Sequence, residues 1–229
     1  GVMAANDKPN NVDCTYPMSR EEAMEVILNN MPGDTIYSAT TGRATRELFF
    51  LREKRGETKA HDFLNVGSMG HASSVALGIA LEKTERKVVA LDGDSACMMH
   101  MGAMTMVSKL DAPNFMHVVL NNGSHESVGG QPSAGHKVDF TKIAEACDYA
   151  TVGHPVTTEV ELVEALEVLR DCGKASFIDC RIHKGLSRKL PPVIFDHREV
   201  IDALIDDLNE SRIIMDNKTK FRINRKKGI

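Results

Sequence analysis

The sequence predicts one α/β domain built on a doubly wound parallel sheet. Short apolar runs typical of buried strands alternate with longer segments that have the residue types of helices. Several of these runs are followed at once by glycine and polar residues, which places loops at the strand ends. A length of 229 residues with 42% hydrophobic residues is enough for one sizeable core.

The first half of the chain contains four strands. Ser19 and Glu22 form a capping-type start for the first helix, and Pro32-Gly33 ends it. Apolar runs and turn residues then predict a strand over 35–39, a helix over 43–51, a charged connector over 52–59, a strand over 63–66, an Ala- and Leu-rich helix over 71–82, a strand over 87–91, a Met-rich helix over 96–110 and a strand over 117–120.

The same alternation continues beyond Pro132, so the second half extends the parallel sheet. The predicted elements are a helix over 140–147, a strand over 149–152, a helix over 158–171, a strand over 175–181 and an amphipathic helix over 197–209. We divide the chain into a loose arm over residues 1–18, a domain over 19–210 and a basic tail over 211–229.

Polar residues follow the two central strands. Asp94 and Asn122 are 28 residues apart in sequence, but neighbouring parallel strands lie only about 4.8 Å apart and end at the same edge of the sheet. Carboxylate, amide and backbone carbonyl oxygens suit Mg²⁺, and one carboxylate implies that a diphosphate completes the coordination. The unpaired amides of Ser95 and Ala96 at a helix start form an anion site. In the alternative interpretation, Asp94 is a helix cap and Asn121-Asn122 is a turn.

These residues resemble a known family. Gly93-Asp94-Ser95 followed by Asn121-Asn122 is similar to the motif of the thiamine-diphosphate-dependent 2-oxo acid decarboxylases, except that Ser95 stands where the family normally has glycine. The longer stretches 65–72 and 120–132 resemble the C-terminal, diphosphate-binding half of the phosphonopyruvate decarboxylases. The resemblance runs from about Arg20 to about Ile182 and implies the diphosphate-domain fold, with thiamine diphosphate and Mg²⁺ as cofactors.

The resemblance also implies a set of site residues. The cofactor-binding residues it implies are Thr41, Gly42, Gly67, Ser68, Met69, Gly93, Asp94, Ser95, Ala96, Asn122 and Ser124, of which Asp94, Asn122 and Ser124 hold the metal. His71 and His125 adjoin these stretches, and an imidazole can transfer protons in catalysis, so they are catalytic candidates together with Ser127. Each histidine also has a purely structural interpretation, and Met69 is otherwise a core residue beside a tight turn.

The implied reaction is the decarboxylation of phosphonopyruvate to phosphonoacetaldehyde and CO₂. Arg43, Arg46 and His125 are cations available for the phosphonate. Family members need a glutamate on a separate pyrimidine-binding domain, which this sequence does not contain, so we expect a hetero-oligomer completed by a pyrimidine-binding subunit or domain. The alternatives are the beta subunit of a sulfopyruvate decarboxylase and a non-catalytic diphosphate-binding module, of which Ser95 would be a mark.

Composition excludes other classes of function. The net charge is −4, and residues 216–229 carry +5, so the rest of the chain carries −9 and a nucleic-acid-binding domain is not expected. The five cysteines include no Cys-x-x-Cys pair, which argues against zinc and against a disulfide framework. No apolar run approaches the length of a membrane span, and we expect a cytoplasmic protein.

Overall fold

The centre of the molecule is a five-stranded parallel sheet. The structure, a computed structural model, describes residues 16–185 and 196–210. Its strands are β1 (Ile36–Ala39), β2 (Asp62–Leu64), β3 (Val88–Gly93), β4 (Phe115–Asn121), β5 (Ser124–His125), β6 (Gln131–Pro132) and β7 (Ser176–Arg181). The sheet has the order β2-β1-β3-β4-β7 with every neighbouring pair parallel, while β5 and β6 form a separate antiparallel pair.

Helices cover both faces of this sheet. They are α1 (Arg20–Asn30), α2 (Arg43–Arg55), α3 (Ala72–Glu82), α4 (Asp94–Met99), α5 (Phe140–Ala146), α6 (Glu159–Leu169) and α7 (197–210). Val89 and Leu91 of β3 pack into the core with α1, α2 and α6, whereas Val88 and Ala90 pack into the core with α3 and α5. Successive side chains of a strand point to opposite faces, so the apolar runs fill two cores. The predicted doubly wound fold is confirmed.

Local chemistry sets several helix ends. Ser19 and Glu22 make the predicted capping box at the start of α1, and Thr158 and Glu161 make another at α6. The predicted end of α2 was wrong, because the helix continues through Arg55 and stops at Gly56, whose φ of 63° is left-handed. The charged residues of the expected connector are good helix formers, which explains the extension.

The Met-rich helix predicted over 96–110 was wrong in its second half. Residues Met101–Ser108 form a 3-10 helix after α4, with a break at His100. Met104 and Val107 are buried, and Met101 and Leu110 are partly buried beside them, so the apolar residues recur every three positions. A period of three is that of the 3-10 helix, which has 3.0 residues per turn.

The strand predicted over 149–152 is also absent as a regular strand. Ala150 and Val156 each make one isolated parallel bridge to β7. Gly153 has a φ of 82° and Pro155 has no backbone N–H, so this segment does not maintain a ladder of hydrogen bonds.

The ends of the predicted domain are only partly covered by the structure. Residues 1–15 of the predicted arm and the predicted tail over 211–229 lie outside the described residues. Met18 is buried in the core and its carbonyl accepts a hydrogen bond from the His183 amide, so this residue belongs to the domain although the sequence analysis assigned it to the arm. None of the described helices has the length and apolar character needed to cross a bilayer.

A buried ion pair connects α2 with the edge strand β2. Nε and Nη2 of Arg52 each donate to a carboxylate oxygen of Asp62 at 2.9 Å. Asp62 is fully buried, and burial raises the pKa of its carboxyl while Arg52 opposes that rise. Nη1 of Arg52 also donates to Glu57 at 2.6 Å. The side chain of Arg52 therefore fixes the connection between the two elements.

We expect Arg52→Ala to lower the free energy of unfolding by about 3–5 kcal/mol, because it leaves a buried carboxylate without its partner. Lys54→Ala is the matched control, since it removes an exposed ion pair to Glu25 that is worth about 0.2–1 kcal/mol. Urea unfolding of both variants gives the comparison. A loss for Arg52→Ala that is no larger than the loss for Lys54→Ala would contradict the structural role of the pair.

Candidate functional site

One cavity lies at the carboxyl ends of β1, β3 and β4. Thr40 and Thr41 line it from the end of β1, residues 92–96 from the end of β3, and residues 124–128 from the chain after β4. Leu120, Asn122 and Met69 complete this lining, and Arg20, Arg43 and Ala44 approach from α1 and α2. Ligands of doubly wound folds bind at this edge of the sheet.

Most of the predicted site residues line this cavity. They are Thr41, Met69, Gly93, Asp94, Ser95, Ala96, Asn122, Ser124, His125 and Ser127. Gly42 lies beside it, because a Cβ built on Gly42 would be 3.9 Å from Cβ of Ser127. The Gly67 amide donates to Oγ1 of Thr41 at 2.9 Å, which attaches the loop before α3 to the end of β1.

Gly42 and Gly67 are therefore next to the cavity without lining it, and the two remaining predicted residues, Ser68 and His71, do not line it either. Nδ1 of His71 lies 3.2 Å from the Ser68 carbonyl oxygen, and Ser68 has a φ of 47°. The His71 ring is exposed and lies against the ring of His100, with 4.1 Å between their centroids. The catalytic role of His71 therefore stays a prediction, and the structure assigns its ring a packing contact.

Asp94 begins α4 and is 2% exposed. Burial raises the pKa of its carboxyl, and a hydrogen bond from the Ser133 hydroxyl to Oδ2 opposes that rise. A Cβ on Gly135 would lie 2.4 Å from Oδ2 of Asp94, so the turn after β6 packs directly against the carboxylate. An ionised carboxylate has about four lone-pair positions, and Asp94 therefore retains acceptor capacity for a cation.

Asn122 is held in place by two hydrogen bonds. Its Oδ1 accepts from the Ser124 amide at 3.1 Å, and its Nδ2 donates to Oε2 of Glu126 at 2.7 Å. These contacts fix which end of the amide group faces the Ser124 backbone. The carbonyl oxygen of an amide has a second lone pair, so Oδ1 has the capacity to ligate a cation in addition.

Glu126 belongs to a buried charge network that no local sequence pattern predicts. Nη2 of Arg20 donates to Glu126 at 2.5 Å, and Nη1 of Arg20 donates to Glu47 at 3.1 Å. Burial raises the pKa of Glu47, and Arg20 partly offsets this effect. Glu126 lies inside the stretch 120–132 that resembles the family, but no spacing pattern relates it to Arg20, which is 106 positions away.

Three side chains at the cavity contain buried polar atoms without a hydrogen-bond partner in the described part of the chain. They are Oγ1 of Thr40, Oγ of Ser95, and Nε and Nη1 of Arg43. An unpaired buried polar group costs about 1–3 kcal/mol, so their clustering indicates a polar ligand. All of these groups can donate hydrogen bonds, which suits the oxygens of a phosphate or a similar anion.

The ligand atoms available in the cavity also limit which metal ion can bind there. Within residues 16–185 and 196–210, no group of three or more His, Cys, Asp or Glu side chains is arranged to hold a metal ion. A cation at Asp94 would therefore take one carboxylate, an amide oxygen, a backbone carbonyl and oxygens of its ligand. Such a set fits Mg²⁺, which usually keeps water or phosphate oxygens, and not Zn²⁺.

Residues 40–180 match the family model described as "Thiamine pyrophosphate enzyme, C-terminal TPP binding domain". This range begins at the end of β1 and ends within β7, so it includes the strand ends that form the cavity.

Two curated relatives differ in how much of their length the chain matches. The chain is 38% identical over 148 residues to a phosphonopyruvate decarboxylase of Streptomyces viridochromogenes, covering 65% of this chain but only 36% of the relative. It is 31% identical over 191 residues to a sulfopyruvate decarboxylase subunit beta of Methanothermobacter thermautotrophicus, covering 83% of this chain and 96% of that subunit. The chain thus spans a minor part of the first protein and nearly all of the second.

A solved structure has the same fold. The thiamine diphosphate-dependent 4-hydroxybenzoylformate decarboxylase of Rhodococcus jostii RHA1 superposes with a TM-score of 0.60, covering 72% of this chain and 32% of that chain. The identity is 17%, so this likeness concerns the fold alone.

We expect Gly135→Ala to destabilise the protein by about 1–3 kcal/mol, because the added methyl group collides with Asp94 and Asn121 in a packed turn. Gly33→Ala is the control, since a Cβ at Gly33 meets no atom within 4 Å. Its free energy of unfolding should be the same or slightly higher. Equal stability of the two variants in urea unfolding would contradict the close packing of this turn on the carboxylate.

Proposed function

The chain belongs to the thiamine pyrophosphate enzyme family through its C-terminal TPP binding domain, and from this premise we propose that it is the diphosphate-binding half of a 2-oxo acid decarboxylase. The observation that supports this proposal most is the set of Asp94, Asn122 and Ser124 around one cavity at the carboxyl edge of the sheet. One carboxylate with amide and carbonyl oxygens is the donor set that a Mg²⁺-diphosphate requires.

The residues of this chain then have distinct tasks. Asp94, Asn122 and the Ser124 carbonyl would hold Mg²⁺, and the amides at the start of α4 would bind the diphosphate. The backbone of Gly67 and the side chain of Met69 would contact the ring system of the cofactor. When bound, thiamine diphosphate accepts the electron pair that is released as CO₂ leaves a 2-oxo acid.

Proton transfer near the reacting carbon requires a side chain that can both accept and donate a proton. His125 lines the cavity and carries an imidazole, so we assign it the transfer of a proton, with Ser127 as a hydroxyl beside it. His71 is less favourably placed because its ring lies against His100. Glu126 acts through Asn122, whose amide it holds at 2.7 Å, and is a positioning residue.

Two substrates remain in consideration. The higher identity to a phosphonopyruvate decarboxylase favours phosphonopyruvate, with phosphonoacetaldehyde and CO₂ as products. The match to nearly the whole length of a sulfopyruvate decarboxylase subunit beta favours sulfopyruvate and a separate partner subunit. Both are 2-oxo acids with an anionic group on the adjacent carbon. In either case we propose that a pyrimidine-binding domain, supplied by another chain or another segment, completes the site.

We expect Asp94→Ala to abolish Mg²⁺-dependent binding of thiamine diphosphate while unfolding stays cooperative, because the variant removes the carboxylate of the proposed metal site. The control Asp111→Ala removes an exposed carboxylate and should leave the cofactor affinity unchanged. Titration calorimetry of the chain together with its partner, with and without Mg²⁺, measures the affinity. An unchanged affinity in Asp94→Ala would overturn the metal assignment.

The reaction itself is tested by release of CO₂. The chain alone should be inactive at saturating Mg²⁺ and thiamine diphosphate, and addition of a pyrimidine-domain partner should restore activity on phosphonopyruvate or sulfopyruvate, since both halves enclose the reacting groups. Full activity of the chain alone would contradict the half-site proposal. Inactivity with every partner that demonstrably binds would favour a non-catalytic module.

A further inference from the structure

We propose that Arg43 binds the anionic group, phosphonate or sulfonate, on the carbon next to the 2-oxo group of the substrate. The inference rests on the proposed function, which supplies the substrate class. It goes further by assigning one side chain to the selection of a 2-oxo acid with a second anionic group on carbon 3 over one without that group, such as pyruvate.

The contacts of Arg43 leave most of its donors unused. It is the first residue of α2 and lines the cavity. Its Nη2 donates to the Glu126 carbonyl at 3.2 Å, whereas Nε and Nη1 are buried and have no partner among the described residues. Burial lowers the pKa of the guanidinium, which remains charged in proteins. A partly buried cation with unused N–H groups is stabilised by an oxyanion.

The neighbouring arginines are engaged elsewhere. Arg20 lines the same cavity, but its charge is matched by the carboxylates of Glu47 and Glu126. Arg46 donates from Nε to the Gly42 carbonyl at 3.3 Å and does not line the cavity. Of these three cations, Arg43 is the one that faces the cavity without a carboxylate partner.

The position of Arg43 also separates it from the metal site. Thr40 and Arg43 follow β1, and Oγ1 of Thr40 is a second unpaired donor. Asp94 and Asn122, in contrast, follow β3 and β4. The Thr40 amide donates to the Leu91 carbonyl at 2.8 Å, so the two groups of residues adjoin within one cavity. The charge of Mg²⁺ is shared with the diphosphate, and a second anion beside it therefore requires a cation of its own.

The test compares Arg43→Gln with the control Arg46→Gln in the enzyme reconstituted with its partner. The ratio of kcat/KM for phosphonopyruvate, or for sulfopyruvate, to kcat/KM for pyruvate measures the preference for the anionic group. We expect Arg43→Gln to lower this preference about 10- to 100-fold, the usual value of a hydrogen-bonded charge pair, through a higher KM. Arg46→Gln should keep the preference, and thermal unfolding verifies that both variants fold.

Arg43 could bind either the anionic group of the substrate or the diphosphate of the cofactor, and the cofactor affinity, measured by calorimetry, distinguishes these two cases. Arg43→Gln should leave the Kd of thiamine diphosphate within about 3-fold, since the diphosphate is held by Mg²⁺ and α4. A rise in this Kd as large as the rise in KM would overturn the proposal and assign Arg43 to the diphosphate. The proposal would also be overturned if Arg43→Gln kept the preference for the anionic substrate, or if kcat/KM for pyruvate fell by the same factor.

A direct binding measurement separates this inference from the proposed function. If the wild-type protein decarboxylates no 2-oxo acid, the proposed function fails, but the anion site can still be probed with phosphonoacetate, which has no 2-oxo group. Calorimetry on the full chain loaded with Mg²⁺ and thiamine diphosphate should detect binding to the wild type and at least 10-fold weaker binding to Arg43→Gln. Binding that is absent from the wild type, or equal in the two proteins, would overturn the role of Arg43.

Discussion

The parallel pairing of β3 with β4 is the constraint on which the site depends. The register pairs Gly93 with Leu120 at the end of the two strands. Asp94 follows Gly93 by one position and Asn122 follows Leu120 by two, so both residues lie at the same edge of the sheet. A slip of one residue would turn the side chains of a strand to the opposite face and would lose both the packing of the two cores and the approach of these oxygens. The apolar residues of β3 and β4 are nearly all inaccessible to solvent, so the same burial that stabilises the fold fixes the position of the polar residues that follow.

Local patterns were sufficient for the sheet and for the residues at its edge. Strand ends and their polar neighbours are short-range features, and this is why Asp94, Asn122 and Ser124 could be predicted from spacing and from resemblance. The 3-10 helix at Met101–Ser108 could not, because its period of three differs little from 3.6 over eight residues. Arg20 and Glu126 could not either, since a contact between residues 106 positions apart is set by tertiary packing alone. The roles of the site residues remain proposals.

Buried charge holds the loop after β4 against the first two helices. Arg20 contacts Glu47 of α2 and Glu126 of the loop, and Arg43 contacts the backbone of the same residue. Such a network contributes little net stability, because desolvation of its members offsets much of their attraction. It does penalise alternative positions of the loop, since any displacement leaves a buried charge unpaired. We interpret the network as a device that orients Asn122 and leaves Arg43 available to a ligand.

The region of the 3-10 helix contains methionines that differ in their access to solvent and so to an oxidant. They fall into two classes, since Met104 is 2% exposed whereas Met106 is 47% exposed and Met99, just before the helix, is 58% exposed. Conversion of a thioether to a sulfoxide follows access of the oxidant and makes the side chain polar. We therefore expect an oxidant to modify Met99 and Met106, on the outside of the molecule, before the core residue Met104.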